Sequence, residues 1–283
     1  MPTWDRKAAL QAMARVVVLF KGQKILLGSK LQAASYKLLM CLSLPGSLKL
    51  TACRLGTNLM RVLLFGATGM VGQGVLRECL LASDVQEVVA VGRTALTQEH
   101  GKLHQVLHAD MFDFQPLEHL LQGFDACFFC VGVSSVGLDE VKYTHLTYDL
   151  TLVAASTLAR LNPQMTFIYV SGAGTDSSET GKTMWARIKG KTENALLRLP
   201  FKAVYLFRPG VIQPLHGVRS KTPLYQSIYT VVGPLLSLLR HVRPAWVVST
   251  ETVGRAMLSA VRHGAPLPVV EQADINRLAT ERA

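Results

Sequence analysis

From residue 61 onward, short apolar runs alternate with stretches whose apolar positions recur every three or four residues. The runs predict strands over residues 62–65, 88–91, 106–109, 126–131, 167–170 and 203–207. The periodic stretches predict helices over residues 71–81, 141–161, 185–197 and 250–263. Strand and helix alternating in this way give an α/β fold, a doubly wound parallel sheet covered on both faces, whose ligand binds beyond the carboxyl ends of the strands. No internal repeat or low-complexity tract competes with this reading.

The first strand-to-helix junction carries the clearest chemistry. Arg61-Val-Leu-Leu-Phe-Gly-Ala-Thr-Gly-Met-Val-Gly72 is an apolar run that turns through three spaced glycines into an amphipathic helix marked by Val71, Val75 and Leu76. Gly66 supplies the unusual backbone angles of the turn, Gly69 lets the main chain approach a pyrophosphate, and Gly72 permits close helix packing. The free N–H groups at the helix start then face the anion. The junction predicts a dinucleotide site.

Charge divides the chain in two. The 283 residues carry a formal charge of +11, which taken alone would suggest nucleic acid. Residues 1–59 hold nine Lys and Arg against one acid, a charge of +8, leaving only +3 for the remainder. The domain that begins at the glycine turn is therefore not a nucleic-acid binder by charge. Residues 1–59 are read as an extension of the reading frame outside the functional domain, with a basic, acid-poor targeting segment and an accessory element as the alternatives. The functional domain is residues 60–283, with a substrate-side segment near residues 210–245.

Five cysteines, an odd number, predict reduced thiols and a cytoplasmic setting. Cys127 and Cys130 lie in an apolar run read as a strand, where a spacing of three places them on opposite faces. His100, His104 and His108 share a four-residue spacing, but an extended segment removes their common face. No metal site is expected.

The strand ends sharpen the cofactor. The second strand runs into Gly92-Arg93, and Arg93 stands 21 residues after Gly72, where an acid would commonly hold the ribose hydroxyls of NAD. A guanidinium there suits a 2′-phosphate, so NADP(H) is expected over NAD(H). Asp110-Met111 at the end of the third strand is placed to touch the adenine, with helix capping as the alternative for Asp110. Gly132, after the fourth strand, permits close approach beside Val131.

These motifs, with Tyr169-Val-Ser-Gly172 and Phe207-Arg-Pro-Gly210, make the chain resemble the short-chain dehydrogenase/reductase superfamily in its extended or atypical branch. Within it, the chain is most similar to the Tat-interacting-protein-like and nitrogen-metabolite-regulator-like NAD(P)H-binding proteins. The resemblance covers residues 60 to about 275. It implies that Gly66, Thr68, Gly69, Met70, Val71, Gly72, Arg93, Asp110, Met111, Val131, Gly132, Lys189 and Pro209 hold the cofactor.

The family's chemistry uses a Ser after the fifth strand and a Tyr-x-x-x-Lys on the next helix. Ser171 and Lys189 match, while Trp185 stands at the Tyr position. An indole N–H donates a hydrogen bond but has no accessible pKa, so it does not serve as acid or base. Tyr143 and Tyr148 are the phenols considered in its place. Residues 222–239 carry no charge, yet Gly233-Pro234 and several polar residues interrupt them. A lid, an apolar pocket wall or a contact in a homodimer is expected there, ahead of an interfacial helix on a membrane surface. Two functions remain: an NADP-dependent oxidoreductase or isomerase acting on a small, apolar carbonyl or hydroxyl compound, and a catalytically silent NADP(H)-binding redox sensor or scaffold.

Overall fold

The computed structural model describes residues 59–216 and 247–280, together with two short strands nearer the start of the chain. Contacts divide the chain into two units, Met1–Leu55 and Gly56–Ala283. In the first, β1 (Val18–Phe20) and β2 (Gln23–Ile25) pair antiparallel, with Leu19 opposite Lys24. The expected substrate-side segment lies largely outside the described residues, and residues 222–239 lie wholly outside them.

The second unit is built on a seven-stranded parallel sheet. Its strands are β3 (Met60–Phe65), β4 (Val85–Gly92), β5 (Leu103–Leu107), β6 (Ala126–Phe129), β7 (Thr166–Val170), β8 (Ala203–Arg208) and β11 (Val269–Glu271). They lie in the order β11-β8-β7-β6-β3-β4-β5. Winding starts at β3, proceeds to β4 and β5 on one side and then crosses to β6 on the other. That reversal opens a crevice at the carboxyl ends of β3 and β6, the place where doubly wound sheets bind ligands.

The period-two geometry of the strands splits the core. Val62 and Leu64 of β3 enter one buried cluster, while Leu63 and Phe65 enter the other. The first cluster is completed by α1 (Met70–Leu81), α5 (Thr250–His263) and α6 (Gln272–Thr280), the second by α3 (Leu150–Leu161) and α4 (Met184–Leu196). Phe65, Phe128, Phe129, Phe167 and Phe207 are fully buried. Each such side chain contributes about 1.5–3 kcal/mol of burial free energy, enough to fix the central strands in register.

Several boundaries differ from the sequence expectation. The third strand is Leu103–Leu107, not 106–109, because β5 is an edge strand whose side chains are mostly exposed and give little apolar signal. The expected helix over residues 141–161 begins at α2 (Glu140–Thr144), capped by the Asp139 carboxylate, which accepts the Lys142 N–H at 2.8 Å. It then passes through a π-turn, His145–Asp149, before continuing as α3. The three-residue strands β9 (Val211–Gln213) and β10 (Val247–Ser249), which pair parallel, have no distinctive pattern at that length.

Candidate functional site

The glycine turn begins with Gly66 at a φ of 79°, a left-handed conformation. A β-carbon at Gly66 would also lie 2.7 Å from the carbonyl carbon of Cys130, so the end of β6 fills the space a side chain would need. A β-carbon at Gly72 would collide with the Gly66 carbonyl oxygen, which shows that Gly72 seats the helix on the turn itself. The Gly69 N–H donates to the Gly66 carbonyl at 2.9 Å and closes the turn.

Helix α1 then begins with Gly69 at its cap, no side-chain cap and no acid in its first turn. Its leading N–H groups, at Met70, Val71 and Gly72, are left to an anion, and no carboxylate neutralises the positive end of the dipole. The turn therefore has the shape and the polarity that a pyrophosphate requires.

A cleft of about 270 Å³ opens on this turn. Eight residues expected to contact a cofactor line it: Gly66, Thr68, Gly69, Arg93, Asp110, Met111, Val131 and Gly132. Thr94, Phe112, Leu146 and Leu150 join them without having been foreseen. A smaller lobe of about 30 Å³ continues between the turn and the chain after β4, lined by Thr68, Gly92, Thr94, Leu96 and Gln105. The Gln105 amide fixes that loop by accepting from the Leu96 N–H at 2.7 Å and donating to its carbonyl at 3.2 Å. Arg93 stands exposed on the wall of the larger cleft and has no carboxylate partner among the described residues.

Asp110 lines the cleft, and its Oδ1 accepts the Phe112 N–H at 2.9 Å, an Asx turn and not the helix cap considered for it. Beside it, the Phe112 ring stacks on His145 with centroids 4.2 Å apart and planes 1° from parallel. The His145 ring in turn meets Asp149 at 3.1 Å across the π-turn. Nothing in the periodicity of residues 141–161 marked this stack, because a π-turn needs no special residue type.

The second group of expected residues gathers at the ends of β7 and β8. Ser171 is buried, and its backbone N–H and its hydroxyl both donate to the Phe207 carbonyl, at 2.9 and 3.2 Å. The Pro209 carbonyl accepts the Ala173 N–H at 2.9 Å. Lys189, on α4, donates from Nζ to the Ser171 carbonyl oxygen. Burial pulls the pKa of Lys189 down to about 8, against the opposing pull of Glu193. Trp185 sits one helical turn before Lys189, and a side chain added to Gly174 would meet its ring at 3.6 Å.

The tyrosines have other partners. Tyr143 is buried, hydrogen-bonded to Thr147, and its pKa is pushed up by burial. Tyr148 lies under Lys191, whose Nζ stands 4.6 Å from the ring centroid. Cys127 and Cys130 do occupy opposite faces, one in each core cluster. Burial raises both thiols, Cys130 to about 12, so neither is a ready thiolate.

A charged cluster missed at the sequence level ties this region together. Arg208 meets Glu193 through two hydrogen bonds, one of them Nε to Oε1 at 3.1 Å, and also reaches Glu271 at 3.2 Å and the Ser177 hydroxyl at 2.6 Å. It joins β8, α4, β11 and the loop after β7. The only sequence signal was its place in Phe207-Arg-Pro-Gly210.

The pattern that defines the NAD dependent epimerase/dehydratase family matches residues 62–184. The chain is 29% identical over 154 residues to Protein HTATIP2 of Rattus norvegicus, covering 53% of this chain and 62% of that protein. It is 27% identical over 222 residues to Protein fmp52-2, mitochondrial, of Aspergillus terreus, covering 76% of this chain and 94% of the other. Its fold superposes on the Bordetella bronchiseptica enzyme WbmF, crystallised with NAD+, with a TM-score of 0.54 at 16% identity, over 80% of this chain and 78% of that one. The chain thus has the Rossmann fold of NAD-binding epimerases and short-chain dehydrogenases, and in sequence it is similar to proteins of that kind. The fungal relatives named mitochondrial overturn the cytoplasmic placement expected from the cysteines. An odd cysteine count reports a reducing setting and does not say which compartment provides it.

Proposed function

We propose that this protein binds NADP(H) in the cleft at the glycine turn and acts as an oxidoreductase or isomerase on a small, apolar carbonyl or hydroxyl compound. Arg93 carries the choice of cofactor. It is an exposed guanidinium without a carboxylate partner among the described residues, on the wall of the larger cleft that Thr68 and Thr94 also line. The backbone of residues 66–72 holds the pyrophosphate, Asp110 and Met111 meet the adenine, and Lys189 orients the nicotinamide ribose. When bound, the dinucleotide supplies or accepts hydride. The Ser171 hydroxyl turns from the Phe207 carbonyl to a substrate oxygen by rotation about one bond. Val133, exposed on the loop that leaves β6 and lining the cleft, favours an apolar substrate. Titration of the protein with NADPH and NADH tests the cofactor, and equal affinities would remove the role given to Arg93.

A second reading, NADP(H) binding without turnover in a redox sensor or scaffold, is favoured by one observation. Trp185 stands where a proton-transferring phenol belongs. Substrate-dependent NADPH oxidation across a panel of carbonyl compounds, reduced in Ser171→Ala, supports the first reading. Tight cofactor binding with no turnover supports the second.

We further infer a mitochondrial setting, with the basic segment before residue 60 as the address. Relatives named mitochondrial and the charge of +8 in residues 1–59 support this. A fluorescent fusion of residues 1–59 that stays outside mitochondria would refute it.

A further inference from the structure

We infer that Lys189 is itself the acid-base group of this site, passing a proton directly to or from the substrate oxygen. This rests on the oxidoreductase reading and assigns the role left vacant by Trp185.

The phenols of the described residues are accounted for elsewhere. Tyr143 is enclosed in the core and bonded to Thr147. Tyr148 faces Lys191, on a different side of α4 from Lys189. Tyr169 is fully buried, bonded to Thr192 and pushed upward by burial. The Tyr205 hydroxyl reaches Gly264, on the turn that leads into the amino end of β11 and so away from the cleft. Among the described residues, no tyrosine is hydrogen-bonded to Ser171.

Lys189 is hydrogen-bonded there. Its ammonium donates to the Ser171 carbonyl at the carboxyl end of β7, on the same helical face as Trp185 one turn earlier. Of its three N–H donors, this contact uses one. The carboxylate that acts on it is Glu193, one turn further along α4, and that charge is already taken by Arg208 of β8, which Glu271 of β11 also contacts. Tyr169 on β7, which faces Glu193, and Tyr143 on α2, which faces Tyr169, both have their pKa pushed up by burial and stay neutral. Burial then dominates, and with a pKa of about 8 the ammonium can release its proton close to neutrality.

In the reducing direction, the Lys189 ammonium gives its proton to the substrate carbonyl oxygen as hydride from the reduced dinucleotide reaches the carbonyl carbon. A C–H and an O–H bond form, the C=O π bond breaks, and the carbonyl is reduced as the dinucleotide is oxidised. The neutral amine regains a proton from water.

Lys189→Arg tests the assignment, since a guanidinium keeps charge and donors but does not release a proton. Three readouts are made on the full chain: NADPH affinity by calorimetry, the pH profile of turnover, and the Lys189 amine titration by NMR of isotopically methylated lysines, identified by its loss in the variant. The expected result is NADPH affinity within about tenfold of the parent, turnover lower by about a hundredfold or more, and an alkaline limb near pH 8 that disappears. Turnover close to the parent's in Lys189→Arg, or an amine that titrates near its ordinary value of 10.5, overturns the assignment alone. Absence of turnover in the parent with NADPH tightly bound overturns the oxidoreductase reading, and the assignment falls with it.

Discussion

Arg208 and Glu193 form a buried ion pair, with Glu193 only 1% exposed and Arg208 spanning from β8 to α4. The pair is buried beneath the loop that carries Ser171, and Arg208 also holds Ser177 of that loop. Breaking such a pair on one side leaves an unpaired charge in the interior, which costs about 3–5 kcal/mol. Arg208→Met should therefore lower unfolding stability by that amount in denaturant titration. The double variant Arg208→Met/Glu193→Met should recover most of it. A double variant no more stable than Arg208→Met would show that the pair's hydrogen bonds, not the orphaned carboxylate, set the cost.

Two glycines of the turn should respond differently to alanine. At Gly66 the positive φ and the contact with the Cys130 backbone should cost about 2–3 kcal/mol of stability. At Gly69 the φ of −80° is ordinary, and an added β-carbon would lie 3.3 Å from the Gly66 carbonyl oxygen. Gly69→Ala should fold nearly as the parent does and lose about tenfold or more in dinucleotide affinity, because the methyl occupies the approach of the phosphates. Thermal unfolding and calorimetry on both variants check this, and unchanged binding in Gly69→Ala would place the anion elsewhere.

Arg93→Ala should weaken NADPH binding by about tenfold, the scale of one charge-assisted contact, and leave NADH binding unchanged. Added salt should erode the NADPH preference in the parent, since the guanidinium is exposed. An equal loss for both cofactors would assign Arg93 to the pyrophosphate or the turn.

Lys189 links stability to pH. Its folded pKa of about 8 lies below the ordinary 10.5, so between those values the unfolded chain binds more protons than the folded one. The unfolding free energy should accordingly rise with pH across that window. Below pH 8 the full penalty of the buried ammonium is present, and above pH 10.5 it is relieved. Lys189→Met should flatten this rise in chemical denaturation measured at successive pH values.

Much of the site was legible because it is local. The glycine turn, Arg93, Asp110-Met111 and Gly132 each follow a strand, and a doubly wound sheet brings all such ends to one edge. Edge strand β5 and the short strands β9, β10 and β11 were misplaced or missed. Runs of three to five residues carry too little periodicity to register.

The sequence alone determined the doubly wound class, the glycine turn and the absence of a phenol at position 185, since each depends on residue type and local periodicity. Only the tertiary structure decided that Arg208 neutralises Glu193, that Phe112 stacks on His145, and that Lys189 sits with reduced basicity against Ser171. Those facts depend on groups 15, 33 and 18 positions apart in the chain being brought within contact distance in a partly dry interior, which spacing along one strand or helix does not encode.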